Sequence, residues 1–128
     1  MVYPITTTTA SLLALFLILL AVRVIIARRD MEKSDDGMKL FDRRDRALGN
    51  MIEYVPIALV LLFLLEAQEA PFWLTAVAAG LLLFGRLVHG IAFSFTDHWP
   101  FGRVAGTLCT YLSIGMLAIA GLWMVIVT

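Results

Sequence analysis

The sequence predicts an all-α integral membrane protein, folded as a four-helix bundle with up-and-down topology. Of its 128 residues, 61% are hydrophobic and only 16% are charged, and the mean hydropathy is +0.90. Soluble domains carry about 25% charged residues, and a chain this short cannot bury so much apolar surface in a core of its own. The apolar side chains are therefore expected to face lipid, in a single transmembrane domain over residues 1–128.

Two of the four predicted spans are free of charged side chains. The first helix is predicted at about residues 5–27 and the last at about 102–127, because no charge occurs in residues 1–22 or 104–128. With a rise of about 1.5 Å per residue, each is long enough to cross a hydrocarbon layer of about 30 Å. Arginines follow the first run and do not precede it, so it is predicted to be a retained span and not a cleaved signal.

The other two predicted spans, at about 42–66 and 72–94, are apolar but carry ionisable side chains. Residues 67–71 are short enough to join them in a tight hairpin. Residues 30–41, which contain the cluster Ser-Asp-Asp-Gly, are predicted to form a solvated loop.

The distribution of basic residues predicts the orientation in the membrane. Ten basic residues balance ten acidic ones, so no net field indicates a nucleic-acid partner. Loops one and three are expected in the cytoplasm and both chain ends on the other side, because Arg103 adjoins loop three and seven basic residues lie in or beside loop one. These seven are Arg28, Arg29, Lys33, Lys39, Arg43, Arg44 and Arg46.

Polar side chains of the second and third spans are expected to meet near the cytoplasmic end. Arg46, Asn50 and Glu53 lie within about 60° of one another on a helix, and Arg86 and His89 are one turn apart. A carboxylate inside the membrane needs a partner, so Glu53 is expected to pair with Arg86 or Arg46. Together these residues predict a polar cavity.

The predicted cavity has a surplus of positive charge, to which Arg23 and Arg103 at neighbouring helix ends also contribute. Guanidinium groups suit carboxylates and phosphates, so a small peptide with two carboxylates and a phospholipid head group both remain candidate ligands. A metal site is not expected, because no second ligand lies at suitable spacing from His89.

Two segments carry a family resemblance. Residues 46–56, RALGNMIEYVP, resemble the RAxxNxxEyxP signature of helix two in the MAPEG superfamily, the membrane-associated proteins in eicosanoid and glutathione metabolism. Residues 85–90, GRLVHG, resemble the GRxxH stretch of that family's third helix. The resemblance, closest to the bacterial branch, implies a homotrimer in the bacterial inner membrane, surrounded by lipid, with glutathione bound between subunits near the cytoplasmic face.

The resemblance also implies roles for individual residues. Arg103 would stabilise the glutathione thiolate that attacks a lipophilic electrophile, as in a glutathione transferase or peroxidase, because a nearby cation lowers a thiol pKa from about 8.5. The residues that would bind glutathione are Arg23, Arg46, Asn50, Glu53, Arg86 and His89.

Several positions depart from the catalytically competent members of that family. They are Gly49, Phe93, Val104 and Thr107, where a basic residue, a tyrosine, a hydroxyl residue and a tyrosine are often found. These departures leave catalysis open, and the alternative is a noncatalytic lipid-binding or accessory membrane protein on the same scaffold. Apart from either function, single residues also have structural readings: Glu53 as an ion-pair member, Asn50 as a link between two helices and Arg103 as a side chain that extends to lipid phosphate.

Overall fold

A computed structural model describes residues 1–128 and contains four α-helices and no strand. The helices are α1 (Pro4–Arg28), α2 (Asp35–Ala67), α3 (Phe72–Ser94) and α4 (Pro100–Val127). All four are long and apolar enough to cross a membrane. The predicted all-α fold with four membrane-spanning helices is therefore confirmed.

Helix α2 begins earlier than the sequence pattern suggests, so the predicted loop over 30–41 is wrong in its second half. The Ser34 hydroxyl accepts a hydrogen bond from the Gly37 N–H at 3.0 Å, and Asp35 and Asp36 occupy the first turn. A serine N-cap followed by acidic residues favours helix initiation. At about 1.5 Å per residue this helix is about 50 Å long, so its first turns extend beyond a hydrocarbon layer of about 30 Å.

The two central helices of the bundle are α2 and α3. Each of the outer helices, α1 and α4, packs against both of them, whereas no Cα atom of α1 lies within 8 Å of a Cα atom of α4. Large apolar side chains remain exposed along the outer faces of α1 and α4, as expected of surfaces that contact lipid. We call the end of the bundle that carries the α1–α2 and α3–α4 connections the arginine-rich end, because Arg28, Arg29, Arg43, Arg44 and Arg103 lie there.

Helices α3 and α4 are in close backbone contact where two glycines face each other. A Cβ atom on Gly85 would lie 2.8 Å from the carbonyl oxygen of Gly106, and a Cβ on Gly106 would lie 2.7 Å from that of Gly85. Gly102, Gly106 and Thr110, spaced four residues apart, are all buried. Small residues at this spacing allow helix backbones to approach closely in lipid. The contact sets the distance between the two helices that carry much of the polar site.

At the opposite end of the bundle, a carboxylate from α2 caps α1. The two carboxylate oxygens of Glu66 accept hydrogen bonds from the backbone N–H groups of Ile5 and Thr6, at 2.9 and 2.8 Å. These N–H groups belong to the first turn of α1, where no intrahelical acceptor exists. A negative charge there also interacts favourably with the helix dipole. Glu66 therefore joins the ends of two helices that are distant in sequence.

We expect Glu66→Gln to lower the free energy of unfolding in detergent by about 1 kcal/mol, because it removes the charge and one of the two cap acceptors. The measurement is thermal unfolding followed by circular dichroism. Glu69→Gln is the matched control, since Glu69 is exposed and its side chain makes no hydrogen bond. Equal losses in the two variants would contradict a capping role.

We expect Gly85→Ala to destabilise the protein by about 1–3 kcal/mol, because the added methyl group overpacks the contact between α3 and α4. Gly80→Ala, in the same helix, is the control: a Cβ there meets nothing within 4 Å. That control should be neutral or slightly stabilising, since alanine favours helix more than glycine does. Unfolding in detergent compares the two, and similar stabilities would argue against the close contact.

Candidate functional site

A cavity of about 350 Å³ opens between α2, α3 and α4 at the arginine-rich end. Helix α2 contributes a guanidinium and an amide, α3 contributes an imidazole and a phenyl ring, and the first three turns of α4 contribute the rest. The lining residues are Arg46, Asn50, His89, Phe93, Arg103, Val104, Thr107 and Leu108. Four of the seven residues singled out from sequence therefore lie together at one cavity.

Arg86 lies directly behind this lining and links the three helices. Its side chain is buried, with 2% of its surface exposed. The Nε atom donates to Thr110 Oγ1 at 2.9 Å, and Nη1 donates to Asn50 Oδ1. The polar groups of the second and third helices therefore meet, as the sequence predicts. The remaining nitrogen, Nη2, is buried without a partner in the chain.

The expected ion pair between Glu53 and an arginine of the same chain is wrong. Glu53 is exposed and forms no ion pair, and Arg86 instead donates to two neutral oxygens. An angular spread of about 60° is wide enough to place Arg46 and Asn50 at the cavity and Glu53 outside it. The carboxylate thus lies outside the cavity that its helix helps to form.

Arg23 also lies outside the cavity of its own chain. Its Nε donates to Ser94 Oγ at 2.8 Å, its Nη2 donates to the Ser94 carbonyl at 2.7 Å, and its guanidinium lies 3.7 Å from the centre of the Phe95 ring. These contacts satisfy the last turn of α3, where carbonyl groups lack intrahelical donors. Within the chain, Arg23 fastens α1 to the end of α3.

The Phe93 ring lies beside two other residues of the cavity, Arg103 and His89. The Arg103 guanidinium lies 4.2 Å from the ring centre, a cation–π arrangement, and the His89 ring centre lies 4.6 Å away. Arg103 Nε is buried without a partner. The Thr107 hydroxyl donates a hydrogen bond to the Arg103 carbonyl at 2.9 Å, so its proton is not available to a ligand.

The cavity is strongly cationic. None of Arg46, Arg86 and Arg103 has a carboxylate within 4.0 Å, because the two ion pairs of the chain are Lys33–Asp30 and Arg43–Asp97. Guanidinium groups only donate hydrogen bonds. The site can therefore bind an anion that offers several acceptor oxygens. No group of three His, Cys, Asp or Glu side chains is close enough to hold a metal ion.

Sequence reasoning missed two polar links between distant residues. Arg43, predicted to be a simple cytoplasmic anchor, pairs with Asp97 at 2.9 Å and donates to the Thr96 carbonyl, so it holds the α3–α4 connection. The Tyr111 hydroxyl shares a 2.9 Å hydrogen bond with that of Tyr54. No local pattern could reveal these links, because each pair is more than 50 residues apart.

Three of the four departures from the catalytic pattern lie at the cavity. Phe93, Val104 and Thr107 line it, whereas Gly49 does not. The lining consequently contains one hydroxyl group, that of Thr107, and no tyrosine. The chemistry available inside the cavity is dominated by the two guanidinium groups.

Comparison with known proteins agrees with this architecture. The MAPEG family pattern matches residues 6–123. Inner membrane protein YecN of Escherichia coli K12 is 32% identical over 90 residues, which cover 70% of this chain and 66%, just under two thirds, of that protein. The protein of the same name from Escherichia coli O6:H1 matches equally well. No solved structure matches. Because the family match extends over nearly the whole chain, this protein belongs to the MAPEG family.

Proposed function

We propose that this protein binds glutathione at the cavity between α2, α3 and α4. The observation that carries the proposal is the pair of guanidinium groups, Arg46 and Arg103, that line the cavity without a carboxylate partner. Glutathione is a small peptide with two carboxylates and several carbonyl oxygens, so it supplies the acceptors that these cations and the Asn50 amide require. His89 borders the same space.

The site is proposed to be completed by a neighbouring subunit in a homotrimer. An exposed carboxylate within a membrane-spanning helix costs about 2.5–3.5 kcal/mol at the bilayer centre, so Glu53 is expected to have a partner outside its own chain. The amine of glutathione or a cation of the next subunit would serve. Arg23 also lies outside the cavity of its own chain, and would reach a ligand carboxylate only at such an interface.

The proposed activity within the membrane is attack of the glutathione thiolate on a lipophilic electrophile, with release of any leaving group such as halide. The second proposed reaction is reduction of a lipid hydroperoxide to its alcohol and water by two glutathione molecules, which become the disulfide. Arg103 would stabilise the negative charge on sulfur, because a cation in a water-poor site favours the thiolate. Val104 and Leu108, both exposed at the cavity, present an apolar approach for a second substrate dissolved in lipid.

We further propose that the protein resides in the bacterial inner membrane with its arginine-rich end in the cytoplasm. The structure brings the first and third connections to the same end, since Arg43 of α2 pairs with Asp97 of the α3–α4 connection. Basic residues concentrate on cytoplasmic loops. The relative from Escherichia coli K12 is named as an inner membrane protein.

The alternative function is a noncatalytic module that uses the cavity for a phospholipid head group. The observation in its favour is that Phe93, Val104 and Thr107 replace the polar side chains typical of catalytic members. A phosphate group would satisfy Arg46 and Arg103 as well as a carboxylate does.

Glutathione binding is the first test. We expect the purified protein to bind glutathione in isothermal titration calorimetry, and Arg46→Ala to raise the Kd about tenfold or more, as expected when a hydrogen bond to a charged group is lost. Glu53→Ala should also weaken binding. Arg29→Ala, which removes an exposed cation outside the cavity, is the control and should leave the Kd unchanged.

Native mass spectrometry of the same preparations separates the two functions and counts the subunits. A trimer that takes up glutathione supports the proposal. A protein that retains copurified phospholipid and shows no glutathione binding in calorimetry would support the lipid-binding alternative instead.

Catalysis is tested separately through Arg103. We expect Arg103→Ala to lower kcat with a model aryl halide by about 100-fold, as when one electrostatic stabiliser of a developing anion is removed, while weakening glutathione binding far less. The ultraviolet absorbance of the bound thiolate should fall in parallel. Arg103→Lys, which keeps a cation, should retain part of both signals. Equal turnover in wild type and Arg103→Ala would exclude this role.

A further inference from the structure

The hydrogen bonds of Arg86 fix the orientation of the Asn50 amide. Arginine is a donor at every nitrogen, so the Asn50 atom that faces Arg86 Nη1 must be the oxygen. On the other side of the guanidinium, Thr110 Oγ1 accepts a hydrogen bond from Nε. The Thr110 hydroxyl in turn donates a hydrogen bond to the Gly106 carbonyl at 2.9 Å. The hydrogen bonds therefore run in one direction, away from Arg86 on both sides.

The amide nitrogen of Asn50 is consequently turned toward the cavity. Asn50 is one of the lining residues, and its Nδ2 donates to no protein acceptor. This nitrogen is not among the buried polar atoms that lack a partner, so it has contact with the open space. Its two protons are available to whatever occupies the cavity.

We propose that Arg86 is a positioning residue: it does not touch the ligand, but holds the Asn50 amide so that only an acceptor group of the ligand, a carboxylate or carbonyl oxygen, fits at that point. The proposal deepens the function proposed above, with glutathione as the ligand. It changes the role that the family resemblance implies for Arg86, from direct contact to control of a neighbouring group.

The other polar groups that line the cavity also favour a ligand that accepts hydrogen bonds. Arg46 and Arg103 donate only, and the proton of the Thr107 hydroxyl is used on the Arg103 carbonyl. No carboxylate lines the cavity. An amide turned the other way would place an acceptor oxygen among the acceptors of the ligand, where it would repel them. The bond from Arg86 prevents that orientation.

The chain permits a direct observation of this amide, because Asn50 is its only asparagine. Labelling with ¹⁵N-asparagine gives a single side-chain NH₂ signal in a heteronuclear NMR spectrum of the detergent-solubilised protein. In the wild type without ligand, the two protons should exchange rapidly with water, since they face the cavity. Addition of glutathione should shift the signal and slow that exchange.

Two substitutions at Arg86 separate positioning from simple structural support. Arg86→Lys keeps a side chain that only donates, so the Asn50 signal and its response to glutathione should be retained. Arg86→Gln introduces a group that can also accept, so the Asn50 amide is free to turn. In that variant the NH₂ group of Asn50 can turn toward residue 86 and away from the water of the cavity, so its exchange with water should slow. The Kd for glutathione should rise about tenfold, as for one lost hydrogen bond to a charged group.

Asn50→Asp provides a second, nearly isosteric variant that leaves an acceptor for Arg86. It places a carboxylate oxygen at the cavity, and we expect the Kd for glutathione to rise more than tenfold through repulsion between like charges. Asn50→Asp that binds glutathione as tightly as wild type would overturn the proposal, whether or not the Arg86 variants fold.

The remaining outcomes are decisive in either direction. The positioning role would be overturned if Arg86→Gln kept the Asn50 exchange rate and the glutathione Kd of the wild type. It would also be overturned if Arg86→Lys and Arg86→Gln changed these two quantities equally. Absence of glutathione binding in the wild type would instead refute the proposed function. The ligand-free exchange rates of the Asn50 protons would still report the orientation of the amide, so the two failures are distinguishable.

Discussion

A buried guanidinium inside a lipid-embedded bundle is the constraint on which the site depends. Arg86 is charged and almost fully enclosed, and it has no carboxylate within reach. A charge at such depth is tolerated only when polar groups of neighbouring helices replace its lost hydration. Asn50 on α2 and Thr110 on α4 supply those groups, and the contact between Gly85 and Gly106 brings α4 close enough for Thr110 to do so.

Because Arg86 is bound by neutral groups, the positive charge at the cavity is not balanced within the chain. Neutral oxygens satisfy hydrogen bonds of Arg86 but do not neutralise it, and Arg46 and Arg103 add two more cations nearby. The one carboxylate of the α2 motif, Glu53, lies on the outer side of its helix. An anionic ligand is the simplest source of the missing negative charge, and this need links the packing of the bundle to its proposed function.

Other charged residues serve the architecture at the two ends of the bundle. Arg23 and Arg43 hold the end of α3 and the α3–α4 connection, while Glu66 caps α1 at the opposite end. Arg23 and Glu66 satisfy backbone groups that a helix end leaves without partners, whereas Arg43 binds the carbonyl of Thr96 and the carboxylate of Asp97 in the connection. Arginines of similar sequence context therefore have different tasks, and only their neighbours in space distinguish them.

The sequence by itself determined the four membrane-spanning helices, the family and the residue types of the site, because hydropathy, span length and motif spacing are local properties of a chain. The early start of α2 also follows from a local signal, the Ser34 N-cap with acidic residues after it, although the loop prediction overlooked it. The sequence did not reveal that Glu53 forms no ion pair with Arg86, or that Arg23 is bound to Ser94. Those outcomes were decided by the tertiary structure. Residues that share one helical face can still meet different surroundings, since the rotation and closeness of the neighbouring helices determine which side chains come within hydrogen-bonding distance.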